Sequence, residues 1–360
     1  MWLSKLTVKN CRIVKDAKLE FNDKLNYIYG SNGSGKTSLL EAISILSLGR
    51  SFRTSRISEV ISYGEDSLLC SSEVRCDDES IKRIGIEKTT STTRIRVNRQ
   101  SLQSQAQLSK ILPVSIIHPL SHELISGGSS KRRRFLDWIA FYQFPEFHDI
   151  WKRYQQILKQ RNASLKNPKL FYAIEHLTYE LCELQAPIHK FRCEALEKLK
   201  QTMSEELPDF LLMQTPLLSL KTGLPNETPL DTEALVSYYN SKIGYEKSRG
   251  RTITGVHNAD IQIHLNSKPA ATSASRGQAK ILSLLLHIAQ NLTITQQGII
   301  AIDDLAAEID EKNYKQLIQF ISNLERQTFI TSTHQPKHNP KGSVESSMFH
   351  VKHGEIGKLL

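Results

Sequence analysis

The stretch Tyr29–Ser38, YGSNGSGKTS, gathers the residue types that hold and transfer phosphate. Gly30, Ser31, Asn32, Gly33, Ser34, Gly35, Lys36 and Thr37 fit G-x-x-x-x-G-K-[ST] at every fixed position, and Ser38 follows directly. Glycines let backbone N–H groups close on a triphosphate that side chains would hold away. Lys36 supplies a point charge for the outer phosphates of ATP, and Thr37 a hydroxyl for Mg²⁺. Far along the chain, Asp303 and Asp304 end the apolar run Gly298–Ile302. Asp303 there can share Mg²⁺ with Thr37, leaving Asp304 to position or deprotonate an attacking water. Phosphoryl transfer asks a protein mainly for positioning and charge stabilisation, so a carboxylate in line with the γ-phosphate is sufficient.

These residues need elements to place them. Leu25–Tyr29 reads as a strand entering the loop. Leu39, Leu40, Ile43 and Leu46 then recur at helical spacing until Gly49 closes the segment. That order puts the positive end of a helix dipole under the phosphates. The unbroken apolar run before Asp303 is what a parallel strand buried on both faces requires, and ligands bind at the carboxyl ends of such strands. Thr328–His334 is a second central strand with a histidine at its end.

Around this centre, Leu6 and Val8 alternate with polar residues as in a half-buried opening strand, and Leu19–Phe21 continues that sheet. Ser67–Val74, Ile81–Ile86 and Arg94–Val97 are short β-type runs joined by polar turns, as in an antiparallel meander. Pro113–Ile117 returns to the main sheet. Beyond His118 the pattern turns helical: Phe147 to Leu165, a break at Asn167-Pro168, then Ile174 to Leu184. Pro187 interrupts that stretch before Phe191 to Met203 resumes it. The expectation is an antiparallel helical hairpin. Leu207–Gly250 is turn-rich, with a helix near Leu235–Tyr245. Ile261–Leu265 alternates again, a helix follows Asp310, and Met348–Val351 with Glu355–Ile356 makes a closing hairpin. The expected organisation is an α/β head of the P-loop type with an antiparallel β subdomain and an inserted helical arm: head 1–117, arm 118–254, head resumed 255–360.

With 39% hydrophobic and 23% charged residues among 360, the chain can bury a substantial core. It has no bilayer-length apolar run and no signal-peptide pattern at its start, so the default is a cytoplasmic protein without a membrane partner. Five scattered cysteines without CxxC spacing argue against a disulfide framework and a structural zinc site. A formal charge of +10 favours polyanionic partners, nucleic acid above all.

Ser275-Arg276-Gly277-Gln278 resembles the SxGQ signature of ABC-type ATPases. Ser275, Gly277 and Gln278 would open a helix as a second anion site, serving the nucleotide held by another protomer. Taken together, the chain resembles the RecF family, bacterial recombination-repair ATPases of the SMC-like branch of ABC ATPases. The resemblance rests on Gly30–Thr37 with Leu40-Glu41-Ala42, on Gly49–Thr54 (GRSFRT), and on Gly127-Gly128 with Arg132–Trp138 (RRRFLDW). It rests also on Gly255, His257 and Asp260, on Ser275–Gln278, and on Asp303–Asp310.

That resemblance implies an ABC-type head with a short helical arm and an ATP-dependent homodimer on gapped DNA. It implies slow ATP hydrolysis as a release switch, and help in loading RecA with RecR as partner. Asp310 matches the family's D-loop acid and His334 the switch histidine. The sequence departs from the family pattern at Ala274, Ala307, Val256, Asn258 and Ala259, and at Leu120, where an acid is usual after the proline. Arg50, Arg53, Arg56 and Arg132–Arg134 are candidates for DNA contact, Arg132–Arg134 equally for pairing with nearby acids. Another SMC-like DNA ATPase or a soluble transporter ATPase subunit would share the head motifs; the transporter subunit would not need GRSFRT or the basic excess.

Overall fold

The computed structural model describes residues 1–102, 104–208, 215–225, 229–305, 309–335 and 346–359. Its described residues fall into two compact units. One contains Met1–Ser121 and the chain from Lys280 onward, the other His122–Glu206 and residues 215–279.

The first unit opens with β1 (Trp2–Cys11), β2 (Val14–Glu20) and β3 (Leu25–Tyr29), then α1 (Lys36–Leu48). β4 (Ser67–Arg75), β5 (Ile81–Thr89), β6 (Thr93–Val97) and β7 (Gln100–Ser101) complete the expected meander. They form an antiparallel sheet in the order β2-β1-β4-β5-β6-β7. α2 (Gln105–Ile111) leads to β8 (Val114–Ile117), the edge strand of the second sheet.

In the second unit come α3 (Glu123–Ser126), α4 (Ser129–Gln143), α5 (Phe147–Lys166), α6 (Ile174–Glu183) and α7 (Gln185–Glu206). Most of the stripe read from sequence is buried: Tyr154, Ile157 and Leu165 on α5, Leu177 and Leu181 on α6, and Ala195 and Leu199 on α7. One expectation is corrected. The break falls at Leu184, and Pro187 sits inside the first turn of α7, where its missing N–H has no helical partner to lose. β9 (Leu217–Lys221) lies in the stretch read as turn-rich, and α8 (Thr232–Arg249) extends the helix expected there. β10 (Asp260–Leu265) pairs with β9 and with the short β11 (Lys268–Pro269). After α9 (Ala270–Ser273), α10 (Arg276–Thr293) starts in this unit and continues into the first.

β12 (Ile299–Ile302), α11 (Glu311–Ser322), β13 (Thr328–Ser332), β14 (Ser346–Lys352) and β15 (Glu355–Leu359) finish the chain. The second sheet runs β15-β14-β3-β13-β12-β8; it is parallel throughout except for β15. Every residue of β12 and β13 is buried. α1 packs against β1, β4 and β5 of one sheet and β8 and β13 of the other, so one apolar core joins both. Phe21 seals it, edge-on to Phe329 at 4.8 Å and to Phe349 at 5.2 Å. That three-layer packing fixes the phosphate loop, which spans the turn from β3 to α1.

Candidate nucleotide site

Gly30 leaves β3 where a Cβ would stand 2.1 Å from the Val351 carbonyl oxygen, so only glycine lets the loop pass. Gly35 then caps α1 in a left-handed conformation. Inside the turn the Lys36 ammonium donates to the carbonyls of Gly30 at 2.7 Å and Ser31 at 2.9 Å, folding the side chain back over the loop. Burial pushes the Lys36 pKa down, while Asp304 and Asp303 act to hold it up. Ser34 is buried, and its hydroxyl has no hydrogen-bond partner among the described residues. A buried unpaired donor in a ring of backbone N–H groups fits an anion supplied from outside.

Thr37 follows on the first turn of α1. Its hydroxyl meets the Asp303 carboxylate at 3.0 and 3.1 Å. Between β3 and the carboxylate strand β12 lies β13, so the two must reach across an intervening strand, about 10 Å at normal sheet spacing. Thr331 of β13 bridges that gap. Its hydroxyl donates to Asp303 Oδ1 at 2.7 Å and accepts the Asp304 N–H at 2.8 Å. Burial raises the Asp303 pKa, and the hydrogen bonds from Thr331 and Thr37 act against that rise. Asp304 occupies a left-handed turn at φ 57°. Thr331 was not singled out from sequence; the available signal was a hydroxyl inside a fully buried strand, which needs a polar partner.

His334 is exposed just past β13, with its Nδ1 2.9 Å from the Thr333 hydroxyl. No hydrogen bond joins it to Asp304 among the described residues. Asp310 caps α11, accepting the Asn313 N–H at 2.9 Å. Ala307 and Glu308 lie outside the described residues.

A second feature supports α1 from behind, joining two stretches that the sequence marks without showing that they pair. Glu41, one turn beyond Thr37, is fully buried. Arg12 forks onto it at 2.9 and 3.0 Å, and the Ser51 hydroxyl of GRSFRT donates to it at 2.6 Å. Ser51 also accepts the Arg53 N–H at 3.0 Å, and the Arg53 guanidinium lies 3.9 Å from Glu41. Arg53 thus leans toward the helix while staying exposed; Arg56, also exposed, lies 3.4 Å from Glu59, and Arg50 is exposed.

In the second unit, Ser275 and Gln278 form a reciprocal cap on α10. The Ser275 hydroxyl accepts the Gln278 N–H at 3.2 Å, and the Gln278 side chain accepts the Ser275 N–H at 2.8 Å. Ser275 and Arg276 are exposed, and a Cβ on Gly277 would meet nothing within 4 Å. The corner is open to close approach by a ligand.

The RRRFLDW and Gly255–Asp260 stretches meet each other within the same unit. Arg132 forks onto Asp260 at 2.7 and 2.9 Å, and Arg133 donates to the Ala259 carbonyl at 2.8 Å. Asp137 receives a fork from the buried Arg192 at 2.7 and 3.0 Å. Arg132 and Arg133 are therefore engaged within the unit, whereas Arg134 is exposed. His257 stands 2.7 Å from the Tyr154 hydroxyl, and burial presses its pKa down to about 4.

The profile of the RecF/RecN/SMC N-terminal domain family matches residues 2–356. The DNA replication and repair protein RecF of Psychromonas ingrahamii is 35% identical over 365 residues, 99% of each chain. The chain belongs to the RecF family. The RecF of Aliivibrio fischeri is 32% identical, covering 99% of this chain and all of its own. Among solved structures, the recombination mediator RecF–ATP of the RecFOR pathway superposes with a TM-score of 0.86 at 28% identity, over 100% of this chain and 98% of that one. An Smc head bound to the C-terminal winged-helix domain of ScpA shares the fold, with a TM-score of 0.59 at 16% identity. This RecF-family chain thus has the α/β ABC-type head expected from its motifs. No described helix is long and apolar enough to cross a membrane.

Proposed function

We propose that this protein is an ATP-driven clamp of DNA replication and repair. It binds ATP at Gly30–Ser38, pairs with a second copy through the Ser275–Gln278 corner, and hydrolyses ATP slowly to release. The observation that carries this is the Thr37–Asp303 contact held across β13 by Thr331. A hydroxyl and a carboxylate converging on one point are hard oxygen donors suited to Mg²⁺. Thr37 and Asp303 would hold that ion, which when bound draws charge from the phosphate oxygens.

The remaining work falls to the chain itself. Loop N–H groups, the Ser34 hydroxyl and Lys36 take the phosphates, Lys36 exchanging its two carbonyl partners for phosphate oxygens. Asp304 orients an attacking water and accepts its proton, with His334 beside the outer phosphate. The Ser275 hydroxyl, already accepting from Gln278, keeps its own proton to donate to a phosphate of the partner's nucleotide. The proposed setting is gap repair on DNA in the cytoplasm, with RecR as partner and RecA loading as the outcome; relatives named for replication and repair and for the RecFOR pathway support its DNA-repair part. Head 1–117, arm 118–254 and resumed head 255–360 are the proposed working parts, although residues 255–279 pack within the second compact unit.

The test is equilibrium binding of a fluorescent ATP analogue with Mg²⁺, followed by DNA binding with and without ATP across a salt series. Saturable nucleotide binding and salt-sensitive, ATP-stimulated DNA binding are expected. A chain that binds DNA equally with ATP, ADP or neither has no nucleotide switch, and the proposal fails.

A further inference from the structure

The outer face of the antiparallel sheet carries a basic trough of about 370 Å³, remote in sequence from the phosphate-loop and carboxylate residues. Lys5, Arg83, Arg96 and Arg99 line it, against one carboxylate, Glu73. That carboxylate is already engaged, 3.0 Å from Arg83 and 3.9 Å from Lys5. Arg96 and Arg99 are exposed, and neither forms an ion pair among the described residues. Lys5 also lies 3.4 Å from Glu20 beside the trough, so the cation excess of the lining rests on Arg96 and Arg99.

The trough follows a row set by the sheet register, Thr7 opposite Ser71, Ser71 opposite Gly85, and Gly85 opposite Arg96, and Lys18 opposite Thr7 extends that row beyond the lining. The row crosses five strands, about 19 Å at ordinary strand spacing. It bears no acid, two cations at its ends and two hydroxyls at its centre. Gly85 makes the depression. Its register is unbroken, its φ is not left-handed, and a Cβ there would meet nothing within 4 Å. No turn, bulge or packing contact calls for glycine at this position. Glycine weakens a strand interior and commonly marks the close approach of a ligand or another backbone. An extended polyanion matches a strip of this length with cations along it, and hydroxyls add phosphate hydrogen bonds.

We propose that this trough binds the phosphodiester backbone of DNA, which lies across Thr7, Ser71 and Gly85 with Arg96 and Arg99 on its phosphates. The proposal rests on the DNA-binding function above and assigns it a surface. The experiment is fluorescence anisotropy with a short labelled duplex and with its single strand, at saturating ATP, across a salt series. Three variants are compared with the parent: Arg96→Ala/Arg99→Ala, Gly85→Val and, outside the trough, Arg94→Ala. Losing two phosphate contacts lowers the slope of log affinity against log salt by about 1.8 on duplex and about 1.4 on single strand. Gly85→Val should fill the depression and weaken binding while its melting temperature stays at or above the parent's, since valine suits a strand. Arg94→Ala should bind like the parent. A loss confined to one probe names the form of DNA the trough takes. If the parent binds and both trough variants match it in affinity and slope, the trough is not the site, although the wider DNA function stands. If the parent binds neither probe, both fall.

Discussion

Thr331→Val removes one oxygen from the centre of the candidate site and nearly preserves its shape. That oxygen serves two groups, donating to Asp303 at 2.7 Å and accepting the Asp304 N–H at 2.8 Å. A hydrogen bond to a charged group is worth about 1.5–3 kcal/mol, and an orphaned N–H costs about 1–3 kcal/mol. Asp303 retains the Thr37 hydroxyl at 3.0 Å, and the added methyl returns about 0.8 kcal/mol, so the net loss is about 3 kcal/mol. The loss falls on the turn that holds Asp304 at φ 57°. The direct assay is hydrogen exchange of the Asp304 amide in nucleotide-free protein. At 1.36 kcal/mol per decade, the valine variant should exchange about a hundredfold faster. Thr331→Ser keeps the oxygen and should stay within about tenfold of the parent, having lost only a methyl group. Mg²⁺–ATP affinity should fall in the valine variant and hold in the serine variant. Equal exchange in the two variants would refute the bridging role of this hydroxyl.

Lys36→Met should abolish binding of the fluorescent ATP analogue without unfolding the head, checked by titration and circular dichroism. Gly255→Ala should cost about 3 kcal/mol in chemical denaturation. Its Cβ would sit 2.8 Å from the Tyr239 hydroxyl, 2.9 Å from Gln185 Oε1 and 3.0 Å from the Tyr154 hydroxyl, at φ 130°. Acid should destabilise the protein through His257 and His287, whose pKa values burial lowers to about 4. Both are neutral when folded and take a proton first when unfolded. Their contribution is therefore complete above pH ~6.5 and is lost as pH falls toward 4, roughly 2–3 kcal/mol each. Denaturation midpoints that stay flat across that window would contradict this.

The parts of this molecule that local pattern dictates were legible in its sequence. Strand, glycine loop and helix at 25–48, the three-strand meander and the buried strand before Asp303 each follow from the spacing of a few neighbouring residues. What escaped depends on partners far along the chain. Leu217–Lys221 is a short run whose strand character comes from pairing with β10, about forty residues later. The closing hairpin was visible, but not that β14 lies parallel to β3 and shapes the loop through Val351. Thr331 looked like one more residue of a central strand, because its role exists only once β13 lies between β3 and β12. The two arginine-rich stretches were ambiguous between DNA and internal pairing. Geometry separates them in part: Arg132 has Asp260, Arg53 leans toward Glu41 while staying exposed, Arg56 has Glu59, and Arg50 and Arg134 are exposed.

In the proposed clamp two copies close on ATP, each offering its Ser275–Gln278 corner to the other's nucleotide. Multi-angle light scattering of Asp304→Asn tests it most directly, since this variant should bind ATP and fail to turn it over. A dimer with Mg²⁺–ATP, and a monomer with ADP or no nucleotide, is the predicted result. A monomer at saturating ATP, with nucleotide binding verified in the same sample, would contradict the account.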